Sequence, residues 1–143
     1  VARPRPSTPT ISNAMDVGDP SNLARILALY HGDVDRLRAD VIGSVHDDDE
    51  TRDCIAQVYR RTSYVLDPHS AVGYLGVEAG RRAFGEGPCV VLGTAHPVKF
   101  REAVEPEIGG KVPIPERLAA CLRAERHVTP IPPEMSALRD FLI

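Results

Sequence analysis

Aromatic residues are scarce in this chain: four Tyr, three Phe and no Trp make up 5% of its 143 residues. Charge of one sign is scarce too, because 17 Lys and Arg nearly balance 20 Asp and Glu and leave a formal net charge of −3. Without a basic cluster, the chain lacks the electrostatic footprint of a nucleic-acid-binding or membrane-surface protein. No apolar run approaches the roughly 20 residues of a membrane span. The hydrophobic fraction of 43% predicts instead a globular domain with a core.

Cysteine is also rare, with only Cys54, Cys89 and Cys121. Their number is odd, they lie far apart in apolar patterns, and no CxxC pair exists. This usage predicts buried free thiols and a reducing, cytoplasmic location. A redox role for one thiol is the alternative. The polar, proline-rich start VARPRPSTPT has no signal-peptide pattern, and the absence of an initial Met predicts a fragment of a longer protein.

Helical and extended patterns alternate along most of the chain. Short apolar runs at residues 41–45, 63–66 and 89–92 predict strands, and helical periodicity separates them. This order predicts an α/β fold: a three-layer open sheet with mainly parallel strands and helices on both faces. Residues 127–131 predict an edge strand because of Pro130. Further helices are predicted at residues 20–32, 33–40, 97–104, 115–124 and 135–142.

Three glycines interrupt the helical pattern that follows residue 68. Gly73, Gly76 and Gly80 each cost a helix up to about 1 kcal/mol relative to alanine. The pattern therefore predicts that another element approaches the backbone of this helix closely.

Polar residues follow each of the three predicted strands, at residues 46–50 (HDDDE), 67–70 (DPHS) and 93–96 (GTAH). Parallel strands would bring these sets to one edge of the sheet, where ligands bind. Each set also has a simpler interpretation. HDDDE is typical of a solvated helix N-terminus, DPHS of a helix cap, and GTAH of a turn between a strand and a helix. A metal site would need His and carboxylates that converge more closely.

Three longer motifs, PTISNAMDVGDPSN, DPHSAVGYLG and LGTAHPVKF, occur here in that order. Together they resemble the C-terminal part of threonine synthase in its bacterial and fungal branch. The resemblance implies a pyridoxal-phosphate enzyme that converts O-phospho-L-homoserine and water into L-threonine and phosphate. It also implies the tryptophan-synthase-like fold class, with two α/β domains and the cofactor between them.

The resemblance implies roles for individual residues. Thr94 would face the pyridine nitrogen of the cofactor, and Gly93 would let the backbone pass close to the ring. His96 has an alternative role, since it could satisfy a carbonyl of the turn. The residues expected at the substrate are Asn13, Asp16, Ser21, Asn22, His69 and His96. Within the 143 residues, the resemblance implies a lead-in and active-site loop (1–20), a βαβ core (21–104) and C-terminal helices with an edge strand (105–143).

Two parts of the family's site are missing from this sequence. The Schiff-base lysine of the family lies in an FKD-type segment, whereas this chain has only Lys99 and Lys111 in other contexts. A Gly-rich loop for the cofactor phosphate is also missing. The resemblance therefore implies a C-terminal fragment with no catalytic residue of its own, inactive without the N-terminal portion. The alternative is a free-standing, non-catalytic binding or interaction domain that keeps the fold.

Overall fold

A computed structural model describes residues 6–12, 21–85 and 87–143. The chain divides into two compact units, Val1–Pro113 and Ile114–Ile143. The first unit contains α1 (Leu23–Leu29), α2 (Val34–Asp40), α3 (Asp48–Thr62), α4 (Pro68–Phe84), a 3₁₀ helix (Pro97–Phe100) and α5 (Arg101–Ile108). The second unit contains α6 (Glu116–Arg123) and α7 (Met135–Leu142).

The predicted open sheet is wrong, since helices are the only regular elements across residues 6–12, 21–85 and 87–143, and the residues described there form no strand. The runs at residues 41–45, 63–66, 89–92 and 127–131 are not helical, but no backbone hydrogen bond in the described part of the chain joins two of them. A strand exists only through such bonds to a neighbour. The sequence correctly predicted that these apolar runs are not helical, but the prediction that they pair in a sheet is wrong.

The core lies where α3 packs against α4 and α5. Ile55 on α3, Ala71 on α4 and Val104 on α5 are fully buried, and the cluster also contains Cys54, Val58, Leu66 and Val112. Burying such side chains contributes roughly 1.5–3 kcal/mol each for the larger ones. The core of the first unit is therefore a helix-on-helix layer.

The N-terminus of α3 explains the acidic HDDDE run. The Asp47 side chain accepts a hydrogen bond from the backbone N–H of Glu50 at 2.8 Å, and the Glu50 side chain accepts one from the N–H of Asp47 at 3.0 Å. This capping box, with Asp48 and Asp49 in the first turn, confirms the helix N-terminus interpretation.

The glycines of α4 do receive close neighbours. A Cβ atom on Gly73 would lie 3.2 Å from Cγ1 of Val91, and one on Gly76 would lie 3.5 Å from Oγ of Ser44. The extended segments around residues 44 and 91 therefore lie against α4, which confirms the predicted close approach at these two positions. Gly80 differs, because only Phe84 of its own helix is near.

The other side of these extended segments is bare. Val91 is partly buried against α4, but its neighbours Val90 and Leu92 are 83% and 82% exposed. Val45 is 90% exposed. Residues 89–92 are therefore covered by α4 on one side, and the described residues leave the other side to solvent.

Most of the remaining helix predictions are correct in type. α1 ends at Leu29, before the predicted end at Gly32, although the Gly32 N–H, at φ of 75°, bonds the Leu27 carbonyl at 2.9 Å. α1 buries none of its residues. The helix predicted at residues 97–104 begins as a 3₁₀ turn and continues as α5 to Ile108, past the predicted end. Gly109, with φ of 62°, ends it.

In the second unit, α6 and α7 form where predicted, while residues 127–131 do not form a strand. Within this unit α6 and α7 bury no residue completely, and Leu122, Met135 and Leu142 are strongly exposed. None of the helices in the described residues is long and apolar enough to span a membrane.

All three cysteines are free thiols, and Cys54 is buried in the core. Cys89 and Cys121 are exposed, so the prediction of buried thiols is wrong for these two. Cys89 belongs to an extended segment that only α4 covers, and Cys121 lies on a helix without a buried face.

Candidate functional site

The DPHS motif forms the first turn of α4. Asp67 is the N-cap, with extended backbone at φ −80° and ψ 162°, and Pro68 occupies the first helical position, where its missing N–H has no cost. The Asp67 carboxylate accepts from the backbone N–H of His69 at 3.0 Å and from Oγ of Ser70. It also pairs with Nδ1 of His69 at 2.9 Å. The cap interpretation is confirmed, and the carboxylate does more than cap.

The GTAHP motif ends an extended segment and starts the 3₁₀ helix. The ring Nδ1 of His96 accepts a hydrogen bond from the backbone N–H of Val98 at 3.2 Å, and the His96 carbonyl accepts one from Lys99 at 3.0 Å. His96 is therefore the cap of this turn, as expected for a turn between an extended segment and a helix, but its ring accepts from a backbone N–H and does not satisfy a turn carbonyl.

The two motifs meet at one place, although more than 20 residues separate them in sequence. A Cβ atom on Gly93 would lie 3.3 Å from Oγ of Ser70, and Val91 lies against Gly73 one turn further along α4. The extended segment thus runs along α4 and ends at the helix N-terminus. The His69 ring also contacts Phe100 edge-on, with 5.0 Å between ring centroids.

A cavity of about 560 Å³ opens at the end of this segment. It contains three of the residues predicted at the site: Gly93, Thr94 and His96. The other lining residues are Tyr64, Val65, Ala95, Pro97, Val112 and Pro113. The lining is mainly apolar with two hydroxyl-bearing residues and an imidazole, which is typical of sites for small molecules.

A larger cavity of about 680 Å³ lies between Ile11, Arg52 and the start of α5, and it includes none of the predicted site residues. Two of its charged residues, Arg52 and Glu105, pair with residues outside the cavity lining. Arg52 pairs with Glu107 at 3.4 Å, and Lys111 donates to Glu105 at 2.8 Å, which lowers the pKa of Glu105. The smaller cavity is therefore the better candidate.

The remaining predicted residues lie apart from this cavity or outside the described part of the chain. Asn13 and Asp16 lie outside the described residues. Ser21 and Asn22 are exposed just before α1, and the Asn22 side chain makes no capping bond. No hydrogen bond within residues 6–12, 21–85 and 87–143 joins Ser21 or Asn22 to the two motifs.

Neither lysine lines the 560 Å³ cavity. Lys99 lies 5.9 Å from the centre of the Phe100 ring, and Lys111 is held by Glu105. In the described residues, no cluster of three or more His, Cys, Asp or Glu could hold a metal ion.

Sequence reasoning missed the second function of Asp67, because a carboxylate before Pro68 is fully explained by capping. The available signal was the spacing D-x-H, since an Asx turn places residue i+2 beside the carboxylate. Only the structure shows that this carboxylate is 2% exposed and bonded to a ring nitrogen.

The fold is similar to solved structures of one kind of enzyme. Threonine synthase from Escherichia coli matches 98% of this chain with a TM-score of 0.74 and 31% identity, over 32% of its own length. A threonine synthase from Brucella melitensis, solved with bound pyridoxal phosphate, matches 97% with a TM-score of 0.67 and 28% identity, over 35% of its length.

Sequence relatives agree with this likeness. Threonine synthase from Pseudomonas aeruginosa is 34% identical over 94% of this chain, and that from Serratia marcescens is 36% identical over 99%. The chain spans about a third of the length of these relatives, 34% and 32%. The family model described as "Threonine synthase, C-terminal" matches residues 70–142. The chain belongs to the threonine synthase family and corresponds to its C-terminal domain, which confirms the resemblance carried by the three motifs.

Proposed function

We propose that this chain is the C-terminal portion of a threonine synthase that converts O-phospho-L-homoserine and water into L-threonine and phosphate with pyridoxal phosphate. One observation carries the proposal beyond family membership: DPHS and GTAHP meet at Ser70 and Gly93, beside the cavity that Thr94 lines. The pyridoxal phosphate in the Brucella relative supports the cofactor.

Thr94 and Gly93 fit one part of such a cofactor. Thr94 lines the cavity, and its hydroxyl can donate a hydrogen bond to a ring nitrogen. A hydroxyl does not stabilise a protonated ring as a carboxylate would, so Thr94 favours the neutral ring. Because Gly93 has no side chain, the space between Ser70 and the cavity stays open. When bound, the cofactor supplies an electron sink, and the protein orients it and moves protons.

The remaining parts of the site come from the rest of the protein in this proposal. Lys99 and Lys111 lie outside the 560 Å³ cavity, so neither is placed for covalent cofactor binding there. The chain alone is therefore inactive. The missing N-terminal portion supplies the lysine and the phosphate loop, and it covers the bare side of residues 89–92.

The substrate side completes the proposal. Residues 1–20 serve as lead-in and active-site loop, with Asn13 and Asp16 near the substrate together with Ser21 and Asn22. His69 and His96 flank the substrate from the two motifs. The whole enzyme acts in the cytoplasm, in keeping with three free thiols.

A chimera tests this function. Residues 1–143 replace the matching C-terminal third of the Pseudomonas aeruginosa threonine synthase, and the product is assayed for phosphate release from O-phospho-L-homoserine. We expect the chimera to turn over and the 143-residue chain alone not to. Thr94→Val should lower turnover or cofactor affinity by roughly tenfold, the scale of one buried hydrogen bond. Thr94→Ser, which keeps the hydroxyl, is the matched control.

Two results would count against the proposal. A folded chimera that binds pyridoxal phosphate but releases no phosphate would favour a non-catalytic interaction domain. Equal activity of the Thr94→Val and Thr94→Ser chimeras would remove Thr94 from the cofactor site.

A further inference from the structure

Asp67 is a buried carboxylate with more hydrogen bonds than a helix cap needs. Its Oδ1 accepts from the backbone N–H of His69 at 3.0 Å and lies 2.9 Å from Nδ1 of the same residue. Its Oδ2 accepts from Oγ of Ser70. At 2% exposure, Asp67 has little access to water, so these three groups satisfy it.

This geometry selects one tautomer of His69. An ionised carboxylate can only accept hydrogen bonds, so a short contact between Oδ1 and Nδ1 requires hydrogen on Nδ1. The neutral ring then carries its lone pair on Nε2. A carboxylate that fixes a histidine in this way orients the ring and defines the nitrogen that acts.

His69 lies next to the candidate site, although it does not itself line the 560 Å³ cavity. Its side chain is 29% exposed, and the edge contact with Phe100 limits rotation of the ring. The next residue, Ser70, touches Gly93, and Thr94 follows in the cavity lining. Within the described residues, Nε2 has no hydrogen-bond partner.

We infer that Asp67 is a positioning residue that holds His69 with hydrogen on Nδ1, so that Nε2 is the ring nitrogen presented to a ligand. The catalytic consequence depends on the proposed function. There, Nε2 accepts a proton or hydrogen bond from the phosphorylated amino acid or from the water that adds to it. The tautomer itself does not depend on that function.

The chain contains a matched control for the simpler role of Asp67 as a cap. Asp47 is also an N-cap aspartate, and it accepts from the backbone N–H of Glu50 at 2.8 Å, but it has no histidine on its carboxylate. Replacing either aspartate by Asn perturbs a helix cap. Only the change at Asp67 also removes the charge beside an imidazole.

The test is nitrogen-detected NMR of the histidine rings in the full 143-residue chain. In the wild type we expect the His69 shifts of the Nδ1–H tautomer. Asp67→Asn should shift the population towards Nε2–H, whereas Asp47→Asn should leave His69 unchanged. His69→Gln assigns the signals. If Asp67→Asn does not fold by circular dichroism, Asp67→Ser keeps a capping oxygen and replaces it. An Nε2–H tautomer in the wild type, or no change in the Asp67 variant, would overturn the inference.

The P. aeruginosa chimera provides the catalytic readout. Asp67→Asn should lower kcat by roughly 10²-fold or more, the range of lost proton transfer, with a smaller effect on KM. Asp47→Asn should leave kcat within about twofold of the parent. An inactive parent chimera would contradict the proposed function while the NMR result still decides the role of Asp67. Unchanged kcat in an active Asp67→Asn chimera would overturn the catalytic consequence.

Discussion

At the scale of single residues, local hydrogen bonds decide what each polar side chain does. Asp47 and Asp67 are both N-caps in extended conformation, yet one faces Glu50 and the other a histidine ring. His96 uses Nδ1 for its own turn, which leaves its Nε2 as the ring nitrogen for any ligand. A sequence pattern identifies such residues as polar and turn-forming. Only their hydrogen-bond partners show whether a residue caps a helix or is available to a ligand.

Cys54 gives a prediction at this scale. Burial, together with the negative charge of Glu78, raises the pKa of the Cys54 thiol from 9.0 to about 11. Because thiolate is the reactive form, we expect iodoacetamide at pH 8 to modify Cys89 and Cys121 quickly and Cys54 only after unfolding. Mass spectrometry of digested protein measures each site. Rapid modification of Cys54 in the folded chain would contradict its burial.

The same thiol affects stability at high pH. The unfolded thiol ionises near pH 9 while the folded one stays neutral to about pH 11, so the unfolded state binds fewer protons in this window. The raised pKa of the folded thiol therefore stabilises the folded chain fully below pH 9, and this stabilisation is lost as pH rises towards 11. Denaturation across this pH range should show the free energy of unfolding falling in the wild type. The Cys54→Ala variant lacks this fall and serves as the control.

At the scale of elements, α4 organises the first unit. Its N-terminus carries DPHS, its Ala71 enters the core, and Gly73 and Gly76 receive the extended segments. A side chain at Gly73 would press against Val91, whereas one at Gly76 would make an ordinary contact with Ser44. The cost of glycine in a helix is therefore offset by tight contact at Gly73.

The glycines of α4 allow a matched comparison. At Gly80 a new Cβ would meet only Phe84 at 3.8 Å, an ordinary contact, so Gly80→Ala should raise the free energy of unfolding by about 0.5–1 kcal/mol. At Gly73 the new Cβ would lie 3.2 Å from Val91, so Gly73→Ala should gain less or lose stability. Urea denaturation of both variants measures the difference. An equal gain would show that Val91 moves aside without cost.

At the scale of the whole molecule, the first unit exposes apolar side chains beside packed segments. Val90, Leu92 and Val45 are more than four-fifths exposed, and they lie on extended segments whose other side is packed. Contiguous exposed apolar residues typically mark an interaction surface. A chain spanning about a third of its relatives' length fits this observation.

Hydrogen exchange tests the docking of the remaining portion. Within the described residues, none of the backbone N–H groups of residues 89–95 donates to a protein acceptor. We expect these amides to exchange rapidly in the isolated chain and slowly in the chimera, where the N-terminal portion supplies partners. The amides of α3, bonded within the helix, are the internal control. Equal exchange at residues 89–95 in both proteins would show that the rest of the enzyme does not cover this segment.

The sequence by itself determined where the helices lie and some of their ends, because capping, glycine and periodicity act within a few residues. The helix N-terminus at Asp47 and the full extent of Met135–Leu142 follow from such local rules. The three motifs also determined the family, since their combination and order are specific. The position of Thr94 just after an apolar run could also be predicted, because the run and its end lie within a few consecutive residues.

Only the tertiary structure decided what depends on partners distant in the chain. Residues 89–92 are apolar enough for a strand, yet pairing requires another backbone alongside, and the described residues provide none. The meeting of Ser70 with Gly93 depends on the packing of an extended segment along α4, which no local pattern encodes. Likewise, burial and side-chain direction place the Asp67 carboxylate beside the His69 ring. The same D-x-H spacing in an exposed turn would leave the carboxylate bonded to water.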